Sequence, residues 1–431
     1  MTRPAPDRSP ARGAETAYLE PDARSPSSID ASAQRDRRAR LSDRLTRKLS
    51  SGRYVPEIDG VRFLAIGIVV AVHLFAVAGL SSGRLFIVPP FGSVVPGQTQ
   101  SSRVVSFLQH GHVGVYLFFI LSGFVLAVPF IRWRAMHAEP VSLPTYLVRR
   151  LTRIEPPFVA IVIVLFLLSS ALHSASTAPH LAATLTYTHA AIYGQLSPID
   201  GVFWSLEAEV QWYLIVPFLA IVLCGGSHNE RVLRITLAWA SSLFLQFVLG
   251  IDLVARFALL DNLQFFLVGW LIAEFHVGRF GERSLQRPLL DVVGIASIPL
   301  LFIALDVRPP LWRVTVPLVG GLVIAAALHG SLLRRCLSMR WVAIIGGMCY
   351  SIYLIHYPVL VLGARTFGAD LSTHPLPTSV VVGASLVLAL ALSGVFFVLV
   401  ERPCMDPEWV HKLVSRVRGR EPLRGTGTRR S

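Results

Sequence analysis

The feature that most constrains this chain is the recurrence of apolar runs of about 16–22 residues along most of its length. A helix rising 1.5 Å per residue needs about 20 residues to cross a hydrocarbon core near 30 Å thick. Lipid offers the backbone no hydrogen-bond partners, so runs of this kind must close their own bonds as helices. Spans are expected near 61–80, 112–131, 155–172, 203–224, 235–250, 257–275, 289–305, 313–330, 341–363 and 379–400, about ten in all. The expected fold is an all-α, polytopic transmembrane helical bundle.

Composition agrees. Only 15% of the 431 residues are charged and 53% are hydrophobic, whereas soluble domains carry about 25% charged residues. The formal net charge of +14 raises nucleic acid as a partner, but the charge lies at the two ends and in short segments between the apolar runs. It is concentrated in no compact soluble stretch, which argues against nucleic-acid binding. One set of connectors holds the basic N-terminal segment, Arg132 to Arg153, Arg231 and Arg234, Arg279 to Arg287, Arg334 to Arg340 and the segment after Arg402. The alternate connectors, 81–110, 173–202, 251–256, 306–312 and 364–378, are much poorer in Lys and Arg. The positive-inside rule puts the basic set, and with it both termini, in the cytoplasm. Residues 1–53 are expected to be a disordered basic cytoplasmic tail, 54–405 the transmembrane domain, and 406–431 a second basic tail. The first fifty residues contain no apolar segment of the secretory-signal kind. Cys224, Cys336, Cys349 and Cys404 lack CxxC spacing and read as small core hydrophobes, with no metal cluster indicated.

Ionisable side chains within spans are expensive and mark function by default. Arg62 and His73 are eleven residues apart, which returns to nearly the same helix face roughly 16 Å further on. Trp204 to Tyr213 carries two carboxylates: Glu207 sits where it would cap the helix dipole, whereas Glu209 is a turn deeper. His356 follows Tyr350 and Tyr353, about 22 Å along its span. Counting inward from helix ends puts His73, Glu209 and His356 in one outer layer, where a carboxylate-oriented imidazole would act as a general base. Taken alone, each has a plainer reading: a helix-packing hydrogen bond for His73, an interfacial aromatic belt for His356. Arg150 and Arg153, one turn apart at the cytoplasmic start of the third span, suit a phosphorylated ligand, although topology alone also calls for arginine there.

Together these stretches resemble the acyltransferase-3 family of integral membrane acyltransferases. The resemblance rests on six elements in order across about residues 56–405: Asp59-Gly60 with Arg62 and His73; Phe118-Phe119-x-x-Ser122-Gly123-Phe124; Arg150-x-x-Arg153; Trp204-Ser205-Leu206-x-x-Glu209; Tyr350-Ser351-x-Tyr353-Leu354-x-His356-x-Pro358; and Glu401-Arg402-Pro403. Val210 stands where the family often has a second Glu, and Phe63 where Gly is common. The family implies transfer of an acyl group, usually acetyl, from cytoplasmic acyl-CoA to a hydroxyl of a carbohydrate or glycosylated small molecule. On that reading Arg62, Arg150 and Arg153 hold the donor's phosphates, and His73, Glu209 and His356 are catalytic, with His73 as base. The chain looks like a stand-alone member without the SGNH-type domain that many relatives carry, placed in the cell membrane. Its partners would be acyl-CoA, a glycan-type acceptor and the lipid bilayer. The competing expectation is a transporter or flippase that uses the same buried ionisable groups.

Overall fold

The computed structural model describes residues 55–81, 112–171, 177–248, 259–278, 287–305, 311–368, 378–406 and 409. The expected tail over 1–53, nearly all of the segment 406–431 and the connector 82–111 lie outside the described residues. Among the described residues the chain is helical, with no strand. The helices are α1 Pro56–Ser81, α2 His112–Met136, α3 Leu143–Ala171, α4 Ala178–Leu185 and α5 His189–Tyr193. A 3-10 turn Gly201–Phe203 leads into α6 Trp204–Leu223, followed by α7 His228–Val248, α8 Leu259–Gly278, α9 Arg287–Leu305 and α10 Trp312–His329. Then come α11 Leu332–Leu337, α12 Arg340–Gly347, α13 Cys349–Gly368 and α14 Thr378–Phe396, with a π turn Phe397–Glu401 and a last turn, α15, Arg402–Cys404.

Among the described residues the ten expected spans fall on helices, and eight helical segments are long and apolar enough to cross a membrane. The pair α12 and α13, bent by 66°, makes a ninth if counted as one broken span. The expected span at 257–275 departs from this pattern. Its helix, α8, carries Asp261, Asn262, Gln264 and Glu274, all at most 2% exposed. Three of them pair with neighbouring helices. Arg313 pairs with Asp261, Gln246 donates to Gln264 at 2.7 Å, and Arg231 reaches Glu274 at 2.7 Å. Polar groups that would be prohibitive against lipid are tolerable inside a bundle, so α8 lies within the bundle, shielded from lipid by its neighbours, which hydropathy alone does not reveal.

The packing shows how that burial is reached. On α2, a Cβ at Gly123 would collide with the carbonyl oxygen of Phe266, and on α8 a Cβ at Gly269 would collide with that of Ile120. Each helix thus presents a glycine to the other's backbone, the close approach that small residues permit between membrane helices. Aromatic side chains fill the remaining space: Phe266 stacks on Phe119 at 4.7 Å and on Trp212 at 4.8 Å. The outer helices turn large apolar residues such as Leu167, Phe218, Phe247 and Val387 outward, each more than half exposed. A surface of that kind faces lipid. The cysteines only partly follow the expectation. Cys224 and Cys404 are buried, whereas Cys336 is exposed and Cys349 half-buried.

Candidate active site

The N-terminal halves of α1 and α3, which carry Arg62, Arg150 and Arg153, meet α2, α6 and α13 around a cavity of about 120 Å3. Arg62, Arg150, Arg153 and Glu209 all line it, with Ser122, Ser205, Tyr213, Tyr350 and Tyr353. The three arginines grouped from sequence therefore share one space. Arg62 is held by Asp59, one turn earlier on α1, at 2.5 Å; Asp59 is itself 2% exposed. Helical spacing separates Arg149, which is exposed, from Arg150 and Arg153, one turn apart on the cavity side. Among the described residues neither Arg150 nor Arg153 makes a hydrogen bond or ion pair. Two half-buried guanidiniums stand on one helical turn, with Glu209 in the same cavity but hydrogen-bonded to Tyr213 and Ser122 instead, a donor geometry suited to an anion with several oxygens.

Glu209 accepts from Tyr213 Oη at 2.5 Å and from Ser122 Oγ at 3.4 Å. It belongs with the arginines. Tyr146 of α3 donates to the Tyr213 carbonyl and Phe158 packs on Phe203, so α6 runs against α3. Tyr350 donates to the Ile154 carbonyl and Tyr353 to that of Val202, so α13 runs with α3. Ser205 and Tyr353 meet at 3.2 Å. From that contact Glu209 lies four residues one way and His356 three residues the other, a separation of roughly 10 Å along the helices. The single outer layer expected for His73, Glu209 and His356 is therefore not present. The inward count took the outer end of α6, at Trp204, to mark the membrane surface. Residues 177–203 instead fold against the bundle, and Val202 and Phe203 are already buried.

The other two members do come together. His73 Nδ1 and His356 Nε2 are 2.9 Å apart, with ring centroids separated by 5.1 Å. Tyr357 packs against His73 at 4.9 Å. His356 is 1% exposed. Val69 and Tyr353, which line the cavity, stand one turn before His73 and His356 respectively. The imidazole pair thus lies just past one end of the cavity, with the arginines along its wall.

Some functional partners went unrecognised in the sequence. Ser122, in the Phe-Phe-x-x-Ser-Gly-Phe element of α2, meets Glu209. Glu207 caps a helix, though not its own: its carboxylate accepts from the backbone N–H groups of Ala190 at 3.0 Å and Ala191 at 3.3 Å, pinning α5 to α6. The closing Glu-Arg-Pro element is tied to the histidine element, since Glu401 accepts from Ser351 N at 3.0 Å and Ser351 Oγ at 2.5 Å. A second histidine pair joins α4 and α5: His180 Nδ1 and His189 Nε2 are 2.9 Å apart, and His189 Nδ1 is 3.2 Å from the Gln195 carbonyl. Desolvation lowers the pKa of His189; the Gln195 carbonyl opposes this and His180 adds to it.

Several known proteins are similar to this chain. The peptidoglycan O-acetyltransferase OatA of Listeria monocytogenes is 27% identical over 72% of the chain and 50% of its own length. The O-acetyltransferase OatA of Staphylococcus aureus is 23% identical over 73% of the chain and 52% of its own length. The putative membrane-bound transacylase BcsY of Komagataeibacter xylinus is 25% identical over 84% of the chain and 86% of its own length. The chain thus spans about half the length of the OatA relatives. No solved structure matches it. The sequence profile of the acyltransferase-3 family, described as an acyltransferase domain, matches residues 55–398, on the same helices that carry the cavity and the histidine pair: the chain belongs to the acyltransferase-3 family.

Proposed function

We propose that this polytopic membrane protein is an O-acyltransferase, moving an acetyl group from acetyl-CoA to a hydroxyl of a carbohydrate. The observation that carries the reading is the pair Arg150 and Arg153, unpartnered among the described residues, in a cavity that ends one helical turn from the His73–His356 pair. Guanidiniums taken partly out of water call for a counter-charge, and the coenzyme's phosphates supply one. The relatives support the class of reaction: two are named O-acetyltransferases, one of them for peptidoglycan, and the third a transacylase.

In this mechanism the donor enters from the side of the basic connectors, taken as cytoplasmic together with both termini. Arg62, Arg150 and Arg153 hold its phosphates, and the thioester reaches towards the histidines. His73 takes the proton of the acceptor hydroxyl as the oxygen attacks the thioester carbonyl carbon. The carbon–sulfur bond then breaks, and the coenzyme thiolate recovers that proton. Glu209, bonded to Tyr213 and Ser122, balances the arginine charge along the donor's path. A multi-pass position in the cytoplasmic membrane fits a cytoplasmic donor. Purified protein in nanodiscs should bind acetyl-CoA and release free coenzyme when given a peptidoglycan or polysaccharide fragment. Binding that survives loss of both Arg150 and Arg153 would contradict the donor site. A second reading, a transporter, has the 66° break between α12 and α13 in its favour; transport of an acylated glycan with no release of coenzyme would favour it.

A further inference from the structure

Hydrogen-bond bookkeeping around His356 determines which nitrogen of His73 can act as the base. His356 Nδ1 lies 2.8 Å from the Ile352 carbonyl oxygen and 2.9 Å from that of Tyr353. Carbonyl oxygens only accept, so Nδ1 carries a proton. A neutral imidazole has one N–H, which leaves the lone pair of His356 on Nε2. That nitrogen is 2.9 Å from His73 Nδ1, so Nδ1 of His73 must be the donor. Its own lone pair is then on Nε2. The reverse arrangement needs a doubly protonated His356. That ring is 1% exposed, and among the described residues its hydrogen bonds reach only two carbonyls and another imidazole. A buried imidazolium without a carboxylate is strongly disfavoured.

We propose that His356 is a positioning residue that holds His73 in the Nδ1–H tautomer, making Nε2 of His73 the atom that takes the acceptor's proton. The inference rests on the acyl-transfer reading above. As the acceptor O–H bond breaks, its proton moves to Nε2 of His73 and the oxygen bonds to the thioester carbonyl carbon. The resulting imidazolium keeps its Nδ1–H bond to His356 Nε2, now charge-assisted. The carbon–sulfur bond breaks, and the proton on Nε2 passes to the leaving thiolate. The Tyr357 ring, 4.9 Å from His73, limits tilting of the imidazole. The arrangement parallels the orienting partner of a catalytic histidine elsewhere, with a neutral imidazole where a carboxylate is usual.

The test combines substitution with a direct reading of the tautomer. Full-length protein labelled with 15N-histidine in nanodiscs would be compared as wild type, His356→Ala and His356→Gln, with His73→Gln assigning the His73 signals. The wild type should show His73 protonated at Nδ1 and unprotonated at Nε2. His356→Ala should lose that preference and lower kcat about a hundredfold with KM for acetyl-CoA unchanged. His356→Gln, whose side-chain oxygen can accept the Nδ1–H bond, should restore the tautomer and most of kcat. Unchanged affinity for coenzyme A would show that the variants are folded. A wild-type His73 protonated at Nε2, or a His356→Ala protein with full kcat, would overturn the proposal. If the wild type consumed no acetyl-CoA with any acceptor, the functional reading would fall, and the NMR tautomer would still decide the histidine arrangement.

Discussion

Among the described residues, two histidine pairs share nearly the same internal geometry, closer than a third, His276 and His329, whose nitrogens are 3.2 Å apart. In both, Nδ1 of one ring is 2.9 Å from Nε2 of the other, with ring centroids 5.1 Å apart and planes tilted by 35°. In both, the second ring points its own Nδ1 at a backbone carbonyl. Their surroundings differ. His73 and His356 are brought together by two long helices, α1 and α13, one turn beyond a cavity lined by arginines. His180 and His189 join two short helices, α4 and α5, that fold back before α6. Around that second pair, Thr184 meets Ser197 at 2.9 Å within the segment and Glu207 of α6 caps α5, so these contacts fix the segment on itself and on α6. An imidazole pair is therefore no signature of catalysis. What it adjoins decides whether its lone pair meets a substrate or merely completes a fold.

The two pairs should respond differently to substitution. The largest effect is expected at His73, where Ala should reduce acyl transfer by about a thousandfold, within the range for losing a general base. His180→Ala should leave transfer within about twofold in the same radiolabelled acetyl-CoA assay, and equal losses at the two would erase the distinction drawn between the pairs. Next comes the donor end. Arg150→Ala and Arg153→Ala should each raise KM for acetyl-CoA by about tenfold, the worth of a charge-assisted hydrogen bond, with kcat nearly unchanged. The carboxylates of α6 sharpen the contrast further. Glu207→Ala should lower thermal stability by about 1 kcal/mol through loss of the α5 cap, measured by scanning fluorimetry, with KM for the donor unaltered. Glu209→Ala should show the opposite pattern, changing the kinetics more than the stability. The smallest effect is a pH dependence that His189 contributes. Burial holds the pKa of His189 below its unfolded value near 6.5. The stability this contributes is present above pH 6.5 and is lost as pH falls towards the folded value. Thermal midpoints measured from pH 7.5 to 5 should therefore fall less in His189→Gln than in the wild type.

The long helices were legible because hydropathy and 3.6-residue periodicity are local properties. The ten apolar runs are helical wherever they are described, the three arginines share one cavity, and His73 and His356 meet as their counted depths suggested. Two kinds of information were not local. Whether a helix faces lipid or protein depends on its neighbours, so α8 reads as a span in isolation although Arg231, Gln246 and Arg313 of α7 and α10 satisfy its polar groups. The depth of Glu209 depends on where residues 177–203 go, and their short helices carry no hydropathy signal that fixes it. Ser122 shows the limit from another side. The Phe-Phe-x-x-Ser-Gly-Phe element was visible, but only packing shows that Gly123 admits α8 while Ser122 turns to Glu209.

One experiment separates the two ends of the proposed path most directly. Purified wild type, His73→Ala and the Arg150→Ala, Arg153→Ala double variant would be tested in nanodiscs for coenzyme A binding and for single-turnover transfer from radiolabelled acetyl-CoA. The account predicts that His73→Ala binds coenzyme A as tightly as wild type and transfers nothing, while the arginine double variant loses binding. Transfer at the wild-type rate by His73→Ala, or intact binding by the arginine variant, would contradict it.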